Sequence, residues 1–80
     1  MDMERADIIL ERSYKWKLIE FLENNSIRYE SWFTETASRC VVSAILDEEK
    51  LNIIKQFLYH TKCSARIILP DDIIRIVYVE

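Results

Sequence analysis

The residues of this chain that could do chemistry are one histidine, two cysteines and two pairs of adjacent carboxylates. His60 and Cys63 are spaced as H-x-x-C, and Cys40 is the other thiol. A tetrahedral zinc site needs four nitrogen or sulfur ligands, which these three do not supply. A Cys–His nucleophile also needs an orienting group and donors for an oxyanion, and the spacing indicates neither. We therefore expect a buried thiol and a boundary histidine, with no metal site.

The two carboxylate pairs occupy positions that explain them without catalysis. Glu48-Glu49 follows Asp47 at the predicted start of a helix, where backbone N–H groups and the helix dipole favour negative charge. Asp71-Asp72 follows Pro70 in a predicted turn, where aspartate suits the backbone. The sequence thus predicts no catalytic residues and a protein that is not an enzyme.

The chain contains no glycine in 80 residues, where average usage of about 7% predicts roughly five or six. Phosphate-cradling loops need glycine because the backbone must adopt positive φ and approach the anion closely. Nucleotide-binding motifs of this kind are therefore excluded, and no cofactor is indicated. Positive-φ positions must be filled by other residues, and we expect Asn24 and Asn25 to fill them where a helix stops.

Length, charge and cysteine content limit the number of domains, the classes of partner and the cellular location that we expect. Eighty residues make one domain, residues 1–80. The net charge of −3, from 11 basic and 14 acidic residues, argues against strong DNA binding. Two cysteines are too few for a disulfide-rich secreted scaffold, and no apolar run approaches the 18 or so residues of a membrane span. We expect a cytoplasmic protein with no membrane partner.

Two segments have the periodicity of amphipathic helices. Asp47 is the predicted N-cap of a helix that closes at Lys62, and Ser13 is the predicted N-cap of another that runs to about Asn25. Each helix has one apolar stripe, which predicts a single core-facing side. The stripes consist of Tyr14, Leu18, Ile19, Phe21 and Leu22 in the first helix, and of Leu51, Ile53, Ile54, Phe57 and Leu58 in the second.

Four further segments are rich in isoleucine, valine and aromatic residues, which is typical of strands. They are Ile27-Phe33, Cys40-Leu46, Ala65-Leu69 and Ile73-Val79. Residues 6–11 fit either a strand or a backward extension of the first helix, since periodicity does not separate the two in so short an apolar run.

An internal comparison favours the strand. Sliding the chain by 36 residues aligns Ile9-Leu10-Glu11 with Ile45-Leu46-Asp47, and Glu20-Phe21-Leu22 with Gln56-Phe57-Leu58. After each helix a strand begins alike, at Ser26 and at Ser64, with an approach two residues longer the second time. A doubled βαβ unit would leave this pattern.

The predicted fold is therefore α+β: a two-layer sandwich with an antiparallel sheet of four to five strands and two helices on one face. The element order is the ferredoxin-like β-α-β-β-α-β plus a C-terminal strand, with the first and third strands central. The alternative is α-β-β-α-β-β with a long N-terminal helix.

The C-terminal strand suggests a partner subunit. Ile73-Val79 is apolar on both alternations, which is a poor choice for an exposed edge or an open sheet face. A chain of this size also buries only about 60–65% of the surface that its unfolded form exposes, so oligomerisation would add to its stability. We expect a non-enzymatic interaction or regulatory module that forms a homodimer and binds an unidentified protein. The alternative, that this strand is an ordinary core strand, remains open.

Two other functions remain as alternatives. A small effector could bind at the dimer seam, or the open sheet face could bind single-stranded RNA by stacking bases on aromatic residues. Arg28 and Trp32 share one alternation of their strand, and Arg66 and Arg75 could share that face, although no RNP1 motif is present. Tryptophan, tyrosine and arginine are enriched in protein interfaces. The predicted partner-binding residues are Trp16, Arg28, Trp32, Arg75, Ile76 and Tyr78.

Overall fold

The described part of the chain runs strand–helix–strand twice and continues into a further strand. A computed structural model describes residues 3–33, 38–69 and 74–77, with side chains described at residues 3–30 and 38–69. Its elements are β1 (Glu4–Glu11), α1 (Lys15–Asn24), β2 (Tyr29–Phe33), β3 (Arg39–Leu46), α2 (Glu48–His60), β4 (Ala65–Ile68) and β5 (Ile74–Val77). The fold is α+β, as predicted.

The strands form one antiparallel sheet in the order β2-β3-β1-β4-β5. The four strands β2-β3-β1-β4 and the two helices are consistent with a ferredoxin-like arrangement, and β5 lies outside β4. The expectation that the first and third strands lie inside the sheet is confirmed. Residues 6–11 belong to β1, so the alternative with a long N-terminal helix is wrong. Alternate residues of β1 enter the core, and this two-residue period is incompatible with a helix.

Both helices pack on the same face of the sheet. A single cluster of buried apolar side chains joins the helices to β1, β3 and β4. Its largest fully buried members are Ile8, Leu10, Leu18, Leu22, Val42, Leu46, Leu51, Ile54, Leu58 and Ile67. None of the described helices lies over the opposite face of the sheet.

The helix boundaries follow the predictions at α2 and depart from them at α1. Asp47 caps α2, because its Oδ1 accepts a hydrogen bond from the Lys50 N–H at 2.8 Å. Ser13 does not cap α1: it lies in a 3-10 turn formed by residues 12–14, and its hydroxyl donates to the Glu11 carboxylate at 3.5 Å. The nearby carboxylate engages the hydroxyl that a cap would need, and α1 begins two residues later.

Positive φ occurs at Ser26 (56°) and Lys62 (57°) among the described residues. The prediction that Asn24 and Asn25 take this conformation is wrong, since Asn24 is helical and Asn25 has a φ of −103°. The Asn25 side chain instead donates to the Phe21 carbonyl at 2.8 Å, so it caps the helix end without entering the left-handed region. The left-handed residue comes one position later.

The two helix ends are built alike, 36 residues apart. Ser26 donates to the Glu23 carbonyl (3.1 Å) and Ile27 to the Leu22 carbonyl (2.8 Å). The same two bonds recur from Lys62 to Tyr59 (3.2 Å) and from Cys63 to Leu58 (3.0 Å). Both ends are therefore Schellman motifs.

The same 36-residue offset relates the starts of β2 and β4, at Tyr29 and Ala65. The predicted two-residue insertion before the second strand is wrong. Ser26 corresponds to Lys62 rather than to Ser64, because Ser26 and Lys62 both have positive φ and each lies two residues after the end of its helix.

Candidate functional site on the open sheet face

The sheet face opposite the helices, called the open face from here on, is defined by one alternation of each strand. Strand register aligns its positions in rows across the sheet. One row is Trp32–Val41–Ile9–Arg66–Ile76, and the next is Glu30–Ser43–Asp7–Ile68–Ile74. At one end of the face the Ile45 N–H donates to the Arg28 carbonyl at 3.0 Å, and Ile45 pairs with Arg5.

Four apolar side chains belong to the open face. Ile9, Val41, Ile45 and Ile68 are half-buried although no helix covers them. Such surface on a small chain is typical of a contact region rather than of a fully solvated sheet.

The strand register places the positions of Trp32 and Ile76 on the open face and the position of Arg75 on the opposite face. Trp32 pairs with Val41 and Ile76 pairs with Arg66, so both positions belong to the open-face alternation. Arg75 pairs with Ile67, whose side chain is in the core. The expectation that Arg75 shares a face with Arg66 is therefore wrong, since adjacent strand positions alternate sides. Tyr78 lies outside the described residues.

Trp16 lies on the helical layer, apart from the open face. Its side chain is 71% exposed at the start of α1, and the Lys15 ammonium lies 5.1 Å from its ring centroid. Tyr59, on α2, is the other strongly exposed aromatic side chain of the described residues, at 61%. The structure thus separates Trp16 from the positions of Trp32 and Ile76.

A polar network lies in the middle of the open face. The Ser43 hydroxyl is buried and donates to the Asp7 carboxylate. Arg5 completes the network: its Nη2 donates to Ser43 Oγ at 3.4 Å, and its Nε lies 3.7 Å from Asp7 Oδ1. Sequence reasoning missed these residues. The signal was present, because the 36-residue offset that aligns the helices also aligns Asp7 with Ser43.

Beside this network the open face contains a cavity of about 160 Å³. Ser43 and Ile45 of β3 form its floor. Arg5 of β1 lies on one side, and Arg28 and Glu30 lie on the other, with Tyr29 between them in sequence. Arg28 is the predicted partner-binding residue that lines this cavity, and it is exposed.

Tyr29 anchors the β2 side of the cavity to the helical layer. Its hydroxyl donates to the Glu23 carboxylate of α1. That hydrogen bond is the main cause that raises the pKa of Tyr29 above its ordinary value, with desolvation second. The cavity wall is thereby tied to the helices as well as to β3.

The two basic residue types are distributed unequally over the described layers. Arg5, Arg28, Arg39 and Arg66 belong to the open face, whereas lysines 15, 17, 50 and 55 lie on α1 and α2, and Lys62 follows α2. Acidic side chains at Asp7, Glu11 and Glu30 are interspersed among the arginines. Arginine offers planar, multidentate hydrogen bonding that lysine does not.

The thiols and the histidine are not assembled into a reactive site. Cys40 and Cys63 are free and buried. Burial raises the pKa of Cys63 to about 11, with smaller contributions from Glu11 and Cys40, and burial is also the main cause that raises the pKa of Cys40. His60 is exposed and packs edge-on to Tyr59 at 5.8 Å between ring centroids.

Within the described ranges, no three His, Cys, Asp or Glu side chains converge as metal ligands would. No helix in that part of the chain combines the length and hydropathy needed to cross a bilayer. No protein-family model, curated protein or solved structure matches the chain.

Proposed function

We propose that this chain is a non-enzymatic cytoplasmic interaction module that self-associates through its open face and binds a further protein. Its scaffold is the ferredoxin-like arrangement extended by a C-terminal strand. The observation that carries the proposal is the set of apolar side chains on the open face: Ile9, Val41, Ile45 and Ile68 are half-buried, and none of the described helices lies over them.

The composition of the central row supports a protein contact. Its positions are Trp32, Val41, Ile9, Arg66 and Ile76. Aromatic residues and arginine are enriched at protein interfaces, and the buried centre of an interface is more apolar than the rest of the surface. Arg66 interrupts the row without opposing this use, since arginine is the charged residue best suited to such contacts.

The size of the face fits a second copy of the chain. The molecule measures 33 × 24 × 23 Å, which limits one face to roughly 800 Å², about what each partner buries in an interface of standard size. A twofold-related copy presents the same face, so one apolar surface covers the other. Burial of both faces also offsets the small core of an 80-residue chain.

Sedimentation velocity over a concentration series tests self-association. We expect a dimer at tens of micromolar, and a dissociation constant at least about tenfold higher for the double variant Ile9→Thr, Val41→Thr, because it removes apolar surface from the centre of the face. Threonine retains β-branching, so the strands are preserved. Tyr59→Ser removes apolar surface from the helical layer and is the matched control, expected to leave the dimer unchanged. A wild-type monomer at these concentrations would end the proposal.

Trp16 is assigned to the further protein partner, because its exposed ring lies on the helical layer that the dimer leaves free. Trp16→Ala should leave both dimerisation and unfolding free energy nearly unchanged, the latter within about 0.5 kcal/mol, while it weakens capture of that partner from the native host. A large loss of stability in Trp16→Ala would assign the ring to folding instead.

The placement of four arginines on the open face favours a second candidate, single-stranded RNA binding. Such binding uses arginine and aromatic stacking along a groove, and its affinity falls steeply with salt. Fluorescence anisotropy with a mixed-sequence RNA oligomer over roughly 50 to 200 mM salt separates the candidates. Salt-sensitive binding that is lost in Arg39→Gln, Arg66→Gln and in Trp32→Ala would replace the protein-binding proposal. Absence of binding would remove the RNA candidate, and DNA is expected not to bind.

A further inference from the structure

The cavity at the Arg28 end of the open face has the chemistry of a ligand site. It spans three neighbouring strands, with its floor on the central one, β3. Arg28 and Arg5 flank Ile45 from the two sides. Two strand spacings of about 4.8 Å separate the backbones that carry the two arginines, so their side chains can reach a group held between them.

One wall of the cavity is already fixed. Arg5 is held by the Asp7 carboxylate and the Ser43 hydroxyl, and Ser43 is only 4% exposed. The Arg5 guanidinium therefore already has partners at the β1 side before any ligand arrives. Preorganisation of this kind lowers the entropic cost of binding.

The other wall carries two charges that are not neutralised by neighbours. Arg28 and Glu30 are exposed, and within the described part of the chain neither side chain has a hydrogen bond or an ion pair. They lie two residues apart on the β2 side and have opposite charge. A cation-binding carboxylate and an anion-binding guanidinium thus border the same small space.

The balance of charge decides which ligand class fits. Arg5 and Arg28 contribute two positive charges, and Asp7 and Glu30 contribute two negative charges. A phosphate dianion would meet no net positive field here, whereas a zwitterion satisfies the Arg28 and Glu30 groups together. The apolar floor at Ile45 is suited to a short hydrocarbon group.

The volume of the cavity indicates the size of its ligand. The cavity has a volume of about 160 Å³. This is below the roughly 300 Å³ at which pockets for drug-sized ligands begin. A molecule of about five to eight non-hydrogen atoms is the appropriate size, as in the smaller amino acids.

The cavity is not a by-product of the repeated scaffold. The 36-residue offset aligns Ile9 with Ile45, so both halves of the chain have an isoleucine at the floor position. The charged positions are not kept: the offset takes Arg5 to Val41 and Glu30 to Arg66, and it takes Arg28 to Ser64. The charged set occurs in one of the two equivalent places.

We propose that this cavity binds a free α-amino acid with a small apolar side chain. The carboxylate is bound by Arg28 with Arg5 beside it, the ammonium by Glu30, and the side chain lies against Ile45. The site occupies the Arg28 end of the open face, next to the apolar row used for self-association. This inference adds a ligand to the proposed module and does not require that the module dimerise.

Amide chemical-shift titration of the full chain tests the assignment. The probes are alanine, serine and valine, the N-acetylated form of each, and inorganic phosphate. We expect the free amino acids to shift resonances of residues 28–30, 43 and 45, and to bind at least about tenfold more tightly than their N-acetylated forms, because acetylation removes the ammonium charge.

Separate variants test the roles of the Arg28 guanidinium and the Glu30 carboxylate in binding. Arg28→Gln should weaken binding of every amino acid about tenfold or more. Glu30→Gln should abolish the preference for free over N-acetylated amino acids, a change that mere loss of structure would not produce. Glu20→Gln removes an exposed carboxylate of α1 outside the cavity, and this variant should bind as the wild type does.

Three results would overturn the proposal: no shift of the cavity residues with any amino acid, shifts with phosphate alone, or equal binding of free and acetylated forms by the wild type. Sedimentation of the same samples keeps the two proposals apart. A dimer without amino-acid binding overturns this inference alone, and amino-acid binding by a monomer overturns self-association alone.

Discussion

Phe21 of α1 and Phe57 of α2 stack on each other, with ring centroids 4.4 Å apart, and they are 36 residues apart in sequence. On the other side of the sheet Asp7 pairs with Ser43, again 36 residues apart. A pair of equivalent residues that contact each other must lie on the axis that relates the two halves. The molecule therefore has an approximate twofold axis that runs from the helix pair through the sheet to the polar network of the open face.

Stacking across this axis should couple the two helices energetically. Phe21→Leu and Phe57→Leu preserve apolar character and remove the aromatic pair, and each should lower the free energy of unfolding by about 1 kcal/mol. The double-mutant cycle should give a coupling of about 0.5–1.5 kcal/mol, measured by urea unfolding. The same cycle between Phe21→Leu and Ile68→Val, on opposite sides of the sheet, should give none. Additive Phe21 and Phe57 effects would mean that the stack contributes nothing beyond burial.

Glycine at the two left-handed positions should stabilise this glycine-free chain. Ser26 and Lys62 occupy positive φ, which costs a residue with a Cβ about 1–2 kcal/mol, against about 0.5–1 kcal/mol of extra chain entropy for glycine. Ser26→Gly and Lys62→Gly should each raise the free energy of unfolding by about 0.5–1 kcal/mol, and their effects should add. Asn52→Gly, at an exposed position within α2, is the contrasting control and should destabilise the protein by a similar amount. Destabilisation by glycine at both left-handed positions would contradict this account.

The cap of α2 should make stability depend on acid. The hydrogen bond from the Lys50 N–H is the main cause that lowers the pKa of Asp47, against a smaller opposing effect of desolvation. A depressed folded pKa means that the stabilisation is present above the unfolded value, about 3.9, and is lost as the pH falls through the folded value.

Thermal unfolding of Asp47→Ala between neutral pH and pH 2 measures this effect. The Tm should lie below that of the wild type at neutral pH, and the difference should shrink as the pH falls below about 4. Asp47→Asn retains a side-chain acceptor without the charge and should remain close to the wild type at neutral pH. A Tm difference that stays constant down to pH 2 would show that the carboxylate charge is irrelevant to the cap.

The thiols should be unreactive in the folded protein. With its pKa raised to about 11, Cys63 has about 100-fold less thiolate at pH 8 than an ordinary cysteine. Modification by a chromogenic disulfide reagent should therefore be at least about 100-fold slower in buffer than in denaturant, where both thiols should react completely. Rapid labelling of the native protein would indicate that the Cys63 end of the core opens.

The sequence determined those features that depend on neighbouring residues. Isoleucine and valine content predicted the strand at residues 40–46, and Asp47 followed by two glutamates predicted the start of α2. The 36-residue offset predicted the strand at residues 6–11 and the doubled unit. Two local predictions failed, at Ser13 and at Asn25, because neighbouring groups compete there. Glu11 engages the hydroxyl of Ser13, and Asn25 caps α1 through its side chain while Ser26 takes the left-handed position.

Only the tertiary structure decided which residues share the open face and what they form there. A shift of one residue in strand pairing moves every side chain to the opposite face, and the pairing of β4 with β5 puts Arg75 opposite Ile67 rather than Arg66. The cavity likewise joins Arg5, Arg28 and Ser43 from three strands. No local pattern specifies such a meeting, because it depends on backbone hydrogen bonds between segments far apart in the chain.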